Sequence, residues 1–228
     1  MGTASTLRRS GFTLVEILVT VAIIGVLAAL AVPALRDSNT KAENVRCVSN
    51  LRKLVAAAIL YGSENNTGYL PVISNNPANG TDHNHWMFND NYLSAMGDTP
   101  AKRAADLSAT FRCPTAGRLK NPSGIQYGMN VTGIDINANY NTPGWSPNMR
   151  GIPRPSEKIY LMDALDWMVQ SNRAANYVPG TKIEATTTYT PAFRHKGIAH
   201  AAFFDGHVEG LKQIDVVGKT KTWNIPNE

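Results

Sequence analysis

Three groups of residues in this chain carry side chains able to do chemistry. Glu16 puts a carboxylate at the edge of an apolar run, and the next nineteen residues, Ile17 to Leu35, hold no charge. Cys47 and Cys113 are the two cysteines, so only one intramolecular pairing exists, and it would enclose 65 residues. Such a bridge would restrict the unfolded chain; the alternative is two free thiols, because Cys47 also falls on an apolar helical stripe. His195, His200, Asp205 and His207 lie within thirteen residues, and imidazole with carboxylate at close spacing can ligate a metal or move a proton.

For the histidine group the structural role carries more weight. Asp205-Gly206 is a preferred dipeptide for a two-residue type I′ hairpin between 199–204 and 207–211,. That register pairs Phe203 with Val208 and Phe204 with His207. It sets His200 and His207 at different heights on opposite strands, so nothing forces His195, His200 and His207 to converge on a metal. Asp205 and Gly206 are expected to make the turn, and His195 to hydrogen-bond a neighbouring strand or loop. His83 and His85, beside Trp86 and Phe88, read as surface or packing residues. The carboxylates of Asp82, Asp90, Asp98, Asp135, Asp163 and Asp166 fit no calcium-loop pattern, so calcium has no motif behind it. Phosphate-loop, Cys-x-x-Cys and Ser-His-Asp patterns are absent too,. No enzymatic activity and no cofactor are expected.

The elements that must position these groups follow from periodicity. Ile17 to Leu35 would form about 28 Å of helix at ~1.5 Å per residue, close to the thickness of a bilayer's hydrocarbon core. An ionised carboxylate beside that run calls for a partner. Past Pro33 the helical pattern resumes, with Cys47, Leu51, Leu54, Ala58 and Tyr61 on one stripe and Arg46, Asn50 and Lys53 off it,. Turn-forming residues from Gly62 onward end the helix. Short helical signals follow at 85–96 and 98–112, then a Gly-, Pro- and Asn-rich stretch from Thr115 to Pro155. Lys158 to Met162 is a strand candidate leading into Asp163, and Thr186 to Tyr189 a weaker one. The expected class is α+β, a long N-terminal helix packed on a small antiparallel sheet with long loops. The formal charge of +5 includes Arg8 and Arg9, and no basic cluster interleaves with aromatics. Nucleic-acid binding is therefore not expected.

Arg8-Arg9-Ser10-Gly11-Phe12-Thr13-Leu14-Val15-Glu16, followed by the apolar helix, resembles the class III signal of type IV prepilins and type II secretion pseudopilins. The resemblance implies cutting between Gly11 and Phe12 by a membrane prepilin peptidase, methylation of the new amine on Phe12, and pairing of Glu16 with that amine on a neighbouring subunit. It implies a leader at 1–11, a transmembrane and assembly half-helix at 12–35, a soluble half-helix at 36–62 and a globular domain at 63–228. The implied partners are the peptidase, other pilin or pseudopilin subunits and an inner-membrane assembly platform. The implied location is the bacterial inner membrane, single-pass with the C-terminal domain in the periplasm, and then a filament. Three other accounts of the same segment are an ordinary secretory signal cut after Ala29-Leu30-Ala31, a twin-arginine signal, and a plain anchor packing through Gly25 and Ala29.

His195, nine residues, then Asp205-Gly206 also resembles the bacterial group of prepilin-type proteins with an H-x9-D-G domain. Arg46-Cys47, Arg112-Cys113-Pro114, Tyr127-Gly128-Met129-Asn130 and Phe204-Asp205-Gly206-His207-Val208 accompany it. The two resemblances together imply a structural filament subunit. A different class of protein, a membrane-tethered periplasmic binding module or enzyme that uses the prepilin signal for sorting, would need a pocket or metal requirement centred on His195 or His207.

Overall fold

The structure, a computed structural model, describes residues 12–65, 86–99, 107–118, 126–132, 152–178 and 189–224. The chain divides into two compact units, Met1–Ala42 and Glu43–Glu228. Helix α1, Leu14–Asn65, runs without interruption through Pro33. In the first unit its side chains are exposed apart from the half-buried Thr40, the large apolar ones from Leu14 to Leu35 included. It is long and apolar enough to cross a membrane.

In the second unit the same helix becomes amphipathic. Cys47, Leu51, Leu54, Ala58 and Tyr61 are all buried, while Arg46 and Lys53 stay exposed, as a period of 3.6 requires. Burying a leucine of this kind is worth about 1.5–3 kcal/mol. Beyond α1, short elements cover the same stripe. A 3-10 turn at Trp86–Phe88 leads into α2, Asp90–Ala95, where the Asn89 side chain caps the helix by accepting from Tyr92 N at 3.1 Å,. Tyr92 in turn donates its hydroxyl to Leu54 O at 3.0 Å. A second 3-10 turn, Ala109–Phe111, is tied to α1 through Asn50 Nδ2, which donates to Ala109 O and Arg112 O at 3.3 and 3.0 Å. Helix α3, Pro114–Arg118, follows at once.

Five strands form one sheet: β1 Tyr127–Asn130, β2 Ile159–Asp163, β3 Met168–Val169, β4 Ile198–Phe203 and β5 Val208–Lys212. Their order is β3-β1-β2-β4-β5, antiparallel except for the β1·β3 pair. One face joins α1 in a core that includes Leu51, Leu54, Tyr127, Met129, Tyr160 and Phe204. The other carries Ile159, Met162, Phe193, Phe203 and Trp223. Gly128 is required where it sits, because a Cβ there would meet Ala164 Cβ at 2.8 Å and Asp166 O at 2.9 Å,. The α+β expectation is met.

The hairpin between β4 and β5 exists, one residue out of the expected register. Ala202 pairs with Val208, and Phe203 N donates to His207 O at 2.9 Å while Gly206 N donates to Phe203 O at 2.9 Å. The loop is therefore three residues, Phe204-Asp205-Gly206, with only Gly206 at positive φ, the alternative hairpin form that ends on a left-handed glycine. A type I′ turn would have needed Asp205 at positive φ as well. That turn chemistry appears instead at Lys196-Gly197, both at positive φ, where His195 and Ile198 exchange two backbone hydrogen bonds of 3.1 Å,. Tyr189 is a turn residue at φ +60° rather than a strand residue, and 186–188 lie outside the described residues.

Candidate functional site

At the helix start, Glu16 is engaged within its own chain. Its Oε2 accepts from Thr13 N and from Thr13 Oγ1, each at 2.8 Å, while Glu16 N donates to Thr13 Oγ1 at 3.3 Å. This is a reciprocal capping box, Thr13-x-x-Glu16, which satisfies two donors that an α-helix leaves open at its N-terminus. The sequence signal was there, since a Thr three residues before a Glu at the head of an apolar run is the pattern for it. Both bonds fall on Oε2, and among the described residues Oε1 has no donor. Around this polar knot Phe12, Leu14, Val15, Ile17 and Leu18 are exposed. Gly11 lies outside the described residues.

The histidine group resolves into two separate arrangements. His207 stays at the surface beside the turn, its ring stacked on Phe203 at 4.2 Å and its Nδ1 2.6 Å from Asp205 Oδ1. Asp205 Oδ1 also accepts from His207 N at 3.1 Å. His195 and His200, by contrast, are buried with ring centroids 4.4 Å apart. They meet at Asp163, the last residue of β2. His207 is thus separated from the other two, and the three do not form one ligand set.

Asp163 is wholly buried. Its Oδ2 accepts from His200 N at 2.8 Å and lies 3.2 Å from His195 Nε2 and 3.3 Å from His200 Nδ1. Its Oδ1 faces Arg194 Nη1 at 3.7 Å. Arg194, also buried, donates to Gln126 O at 3.2 Å and Ala164 O at 2.7 Å. Burial pushes the Asp163 carboxyl upward, but the charge and hydrogen bond of His195, the bond from His200 and the charge of Arg194 outweigh it, so the group is held well below the usual carboxylate range,.

His195 is the hub. Its Nδ1 sits 2.6 Å from Asn44 Oδ1 on α1 and 3.4 Å from Thr115 Oγ1 on α3, and its Nε2 faces both Asp163 Oδ2 and Cys113 Sγ, the latter at 3.4 Å. Acceptors at both nitrogens favour the imidazolium. Burial opposes that charge, yet Asp163 and Cys113 prevail and hold the group up at about 10. Cys113 Sγ lies 2.7 Å from Cys47 Sγ, both thiols free and buried. Burial raises the Cys113 thiol, but hydrogen bonds from Cys47 and His195 and the charge of Arg194 bring it down to about 5,. Cys47, buried and bonded to a thiolate, is pushed the other way. Cys113 N donates to Gln126 Oε1, fixing the segment's backbone.

Two sets of donor atoms, Cys47–Cys113–His195 and Asp163–His195–His200, fall within 4.8 Å of one another. Both depend on the same imidazole. The Nε2 proton and the Arg194 guanidinium already supply the positive charge that the carboxylate and the thiolate face, so the cluster is closed by its own charges. Its geometry joins α1, α3, β2 and the Lys196-Gly197 turn. Of its members, Asp163, Arg194, Asn44, Thr115 and Gln126 were not picked out as partners by sequence. A carboxylate at the end of an apolar strand was the one local sign. Among the other acidic residues, Asp98 accepts from Ser108 Oγ at 2.7 Å and Asp166 from Trp167 N and Tyr189 N at 2.8 and 3.2 Å. Asp82, His83, His85 and Asp135 lie outside the described residues.

Residues 6–32 match the family model for the prokaryotic N-terminal methylation motif. Over 59 residues the chain is 44% identical to type II secretion system core protein G of Pectobacterium carotovorum subsp. carotovorum, covering 26% of this chain and 38% of that protein. It is equally 44% identical over 59 residues to a fimbrial protein of Pseudomonas aeruginosa, with 25% and 38% covered. A longer match, 27% identity over 157 residues, aligns 66% of this chain with 92% of fimbrial protein Q of Moraxella bovis. The chain thus spans about two fifths of the first of these relatives. No solved structure matches it.

Proposed function

We propose that this chain, whose N-terminal segment is that of a type IV pilin or pseudopilin, is a structural filament subunit. The observation that carries the proposal is an apolar segment exposed from Phe12 to Leu35, helical from Leu14 onward and headed by a single carboxylate at Glu16. Apolar surface on that scale needs lipid or other protein around it. In the membrane, lipid covers it. In a filament, neighbouring copies of the same helix do, replacing lipid contacts by packing.

Processing between Gly11 and Phe12 creates a cationic amine at Phe12, with no residue left upstream. Glu16 uses Oε2 to cap its own helix through Thr13 and keeps Oε1 toward the amine of an adjacent subunit, which sets the stagger between helices. The second unit is the part displayed outside the membrane on the periplasmic side, and it contributes shape and surface rather than turnover. A prepilin peptidase, other subunits of the filament and an inner-membrane platform are the partners this requires.

Intact-mass and N-terminal analysis of the protein extracted from its host's membranes tests the proposal. The expected product begins at Phe12 and carries one added methyl group. A product beginning at Val32 would show an ordinary secretory signal, remove the assembly helix and overturn the proposal.

A further inference from the structure

The cysteine pair and the imidazole against it are not used by assembly through α1. Cys47 comes from α1 and Cys113 from the residue before α3, 66 positions later, yet their sulfurs touch inside the core with 0% and 1% of each residue exposed. Two ties cross between these segments, and a third fixes the backbone at Cys113. Asn50 donates to Ala109 O and Arg112 O, Gln126 accepts from Cys113 N, and His195 spans Asn44 on α1 and Thr115 on α3. The fold thus brings the two thiols together independently of any bond between them.

We propose that Cys47 and Cys113 are joined by a disulfide once the chain meets an oxidising compartment, and that His195 carries the charge that balances the pair when it is reduced. Exposure to such a compartment rests on the membrane-anchored proposal above; the pairing itself does not. The oxidant is a disulfide, of a small molecule or of a dithiol oxidase. Because both sulfurs are covered in the folded domain, exchange takes place before the domain closes. One cysteine thiolate attacks a sulfur of the oxidant, forming a mixed disulfide and releasing the first thiolate. The other cysteine loses its proton and attacks the protein sulfur of that mixed disulfide, releasing the second thiolate. The cysteines lose two electrons and two protons, and the oxidant's disulfide becomes two thiols.

The charge count explains the place of His195. With the pair reduced, Asp163 and the Cys113 thiolate face the His195 imidazolium and the Arg194 guanidinium, two negative groups against two positive. Closing the bridge makes Cys113 neutral and leaves the imidazolium one counter-charge fewer. His195 therefore releases its proton more easily in the oxidised protein, and the redox state of the pair is linked to the charge of the histidine that opens the H-x9-D-G spacing.

The full chain, reduced and unfolded in denaturant, is refolded into detergent with reduced and oxidised glutathione present, then denatured, alkylated and mapped. A linked peptide joining Cys47 to Cys113, with neither residue alkylated, is expected. Two alkylated cysteines or a persistent glutathione adduct would overturn the bridge, whatever the N-terminal analysis shows. The linkage is read in the wild-type protein by the NMR titration of the His195 ring in both redox states. A lower midpoint after oxidation is expected, and equal midpoints would overturn it. In the reduced protein, the ultraviolet absorbance of the first thiolate should titrate near 5 and move toward 9 in His195→Gln. An unmoved midpoint would remove His195 from the account. Cys113→Ser identifies which thiol is being observed.

Discussion

Asp163 and His195 stand 32 residues apart in sequence and 3.2 Å apart in space, Oδ2 to Nε2, with neither side chain more than 1% exposed. A buried carboxylate and a buried imidazolium are each costly alone, so the contact binds the end of β2 to the turn before β4 only while both charges are present.

Replacing Asp163 by Asn leaves the His195 imidazolium and the Arg194 guanidinium without their counter-charge. Breaking one partner of a buried pair typically costs about 3–5 kcal/mol. Denaturant unfolding of the full chain in detergent, followed by tryptophan fluorescence, should show the midpoint of the Asp163→Asn protein falling accordingly. A loss under about 1 kcal/mol would mean that the pair contributes no more than an exposed one.

Stability should depend on pH with a sign fixed by each shift. His195 is raised from 6.5 to about 10, so its contribution is fully present below 6.5 and is lost as pH rises through 10,. Asp163 is depressed from 3.8, so its contribution is present above 3.8 and disappears as pH falls further. Cys113, lowered from 9.0 to about 5, acts in the opposite sense to His195: its contribution is present above 9.0 and is lost as pH falls to 5. Between pH 6.5 and 9.0 the reduced protein should therefore decline less steeply than the oxidised one, whereas above 9.0 the Cys47 thiol, raised by its bond to Cys113 and by burial, adds a loss of its own,. Thermal unfolding at several pH values under both conditions checks this, and parallel curves would contradict the assignment of a thiolate to Cys113.

Thr13 and Glu16 should separate capping from assembly. Thr13→Ala removes the hydroxyl and with it two of the three bonds between Thr13 and Glu16, fraying the first turn of α1 while keeping the carboxylate. Glu16→Gln keeps one acceptor oxygen for the cap and removes the charge. The filament proposal expects assembly to survive Thr13→Ala at a reduced level and to fail in Glu16→Gln, with the second unit folded in both by near-ultraviolet circular dichroism. Sedimentation and electron microscopy of sheared material give the readout. Normal filaments from Glu16→Gln would show that charge pairing does not set the register.

Much of this was legible in the chain because it is local. The stripe Cys47, Leu51, Leu54, Ala58 and Tyr61 follows from helical spacing alone and is buried as expected. The β4 to β5 hairpin was visible from Asp205-Gly206, but its register was not, since an Asp can occupy either the two-residue or the three-residue loop. The sheet chose the latter by giving positive φ to Gly206 and not to Asp205. The Asp163 cluster was out of reach for a different reason. Its members lie at 44, 47, 113, 115, 126, 163, 194, 195 and 200, and although the cysteines and histidines stand out by type, nothing in their spacing places them beside Asp163. Their chemistry arises only when β2 and the Lys196-Gly197 turn bring them to the same face of α1.

The order β3-β1-β2-β4-β5 leaves β5 at one border of the sheet. Glu209 and Lys212 stand exposed along that strand, and charges on an outer strand discourage a second copy from adding to the row. A subunit built to polymerise faces a particular hazard, because very high local concentration favours every sticky contact and not only the intended one. On the filament proposal, charges along the β5 border together with an exposed apolar segment from Phe12 to Leu35 would direct self-association to the helix, so that growth proceeds in one dimension.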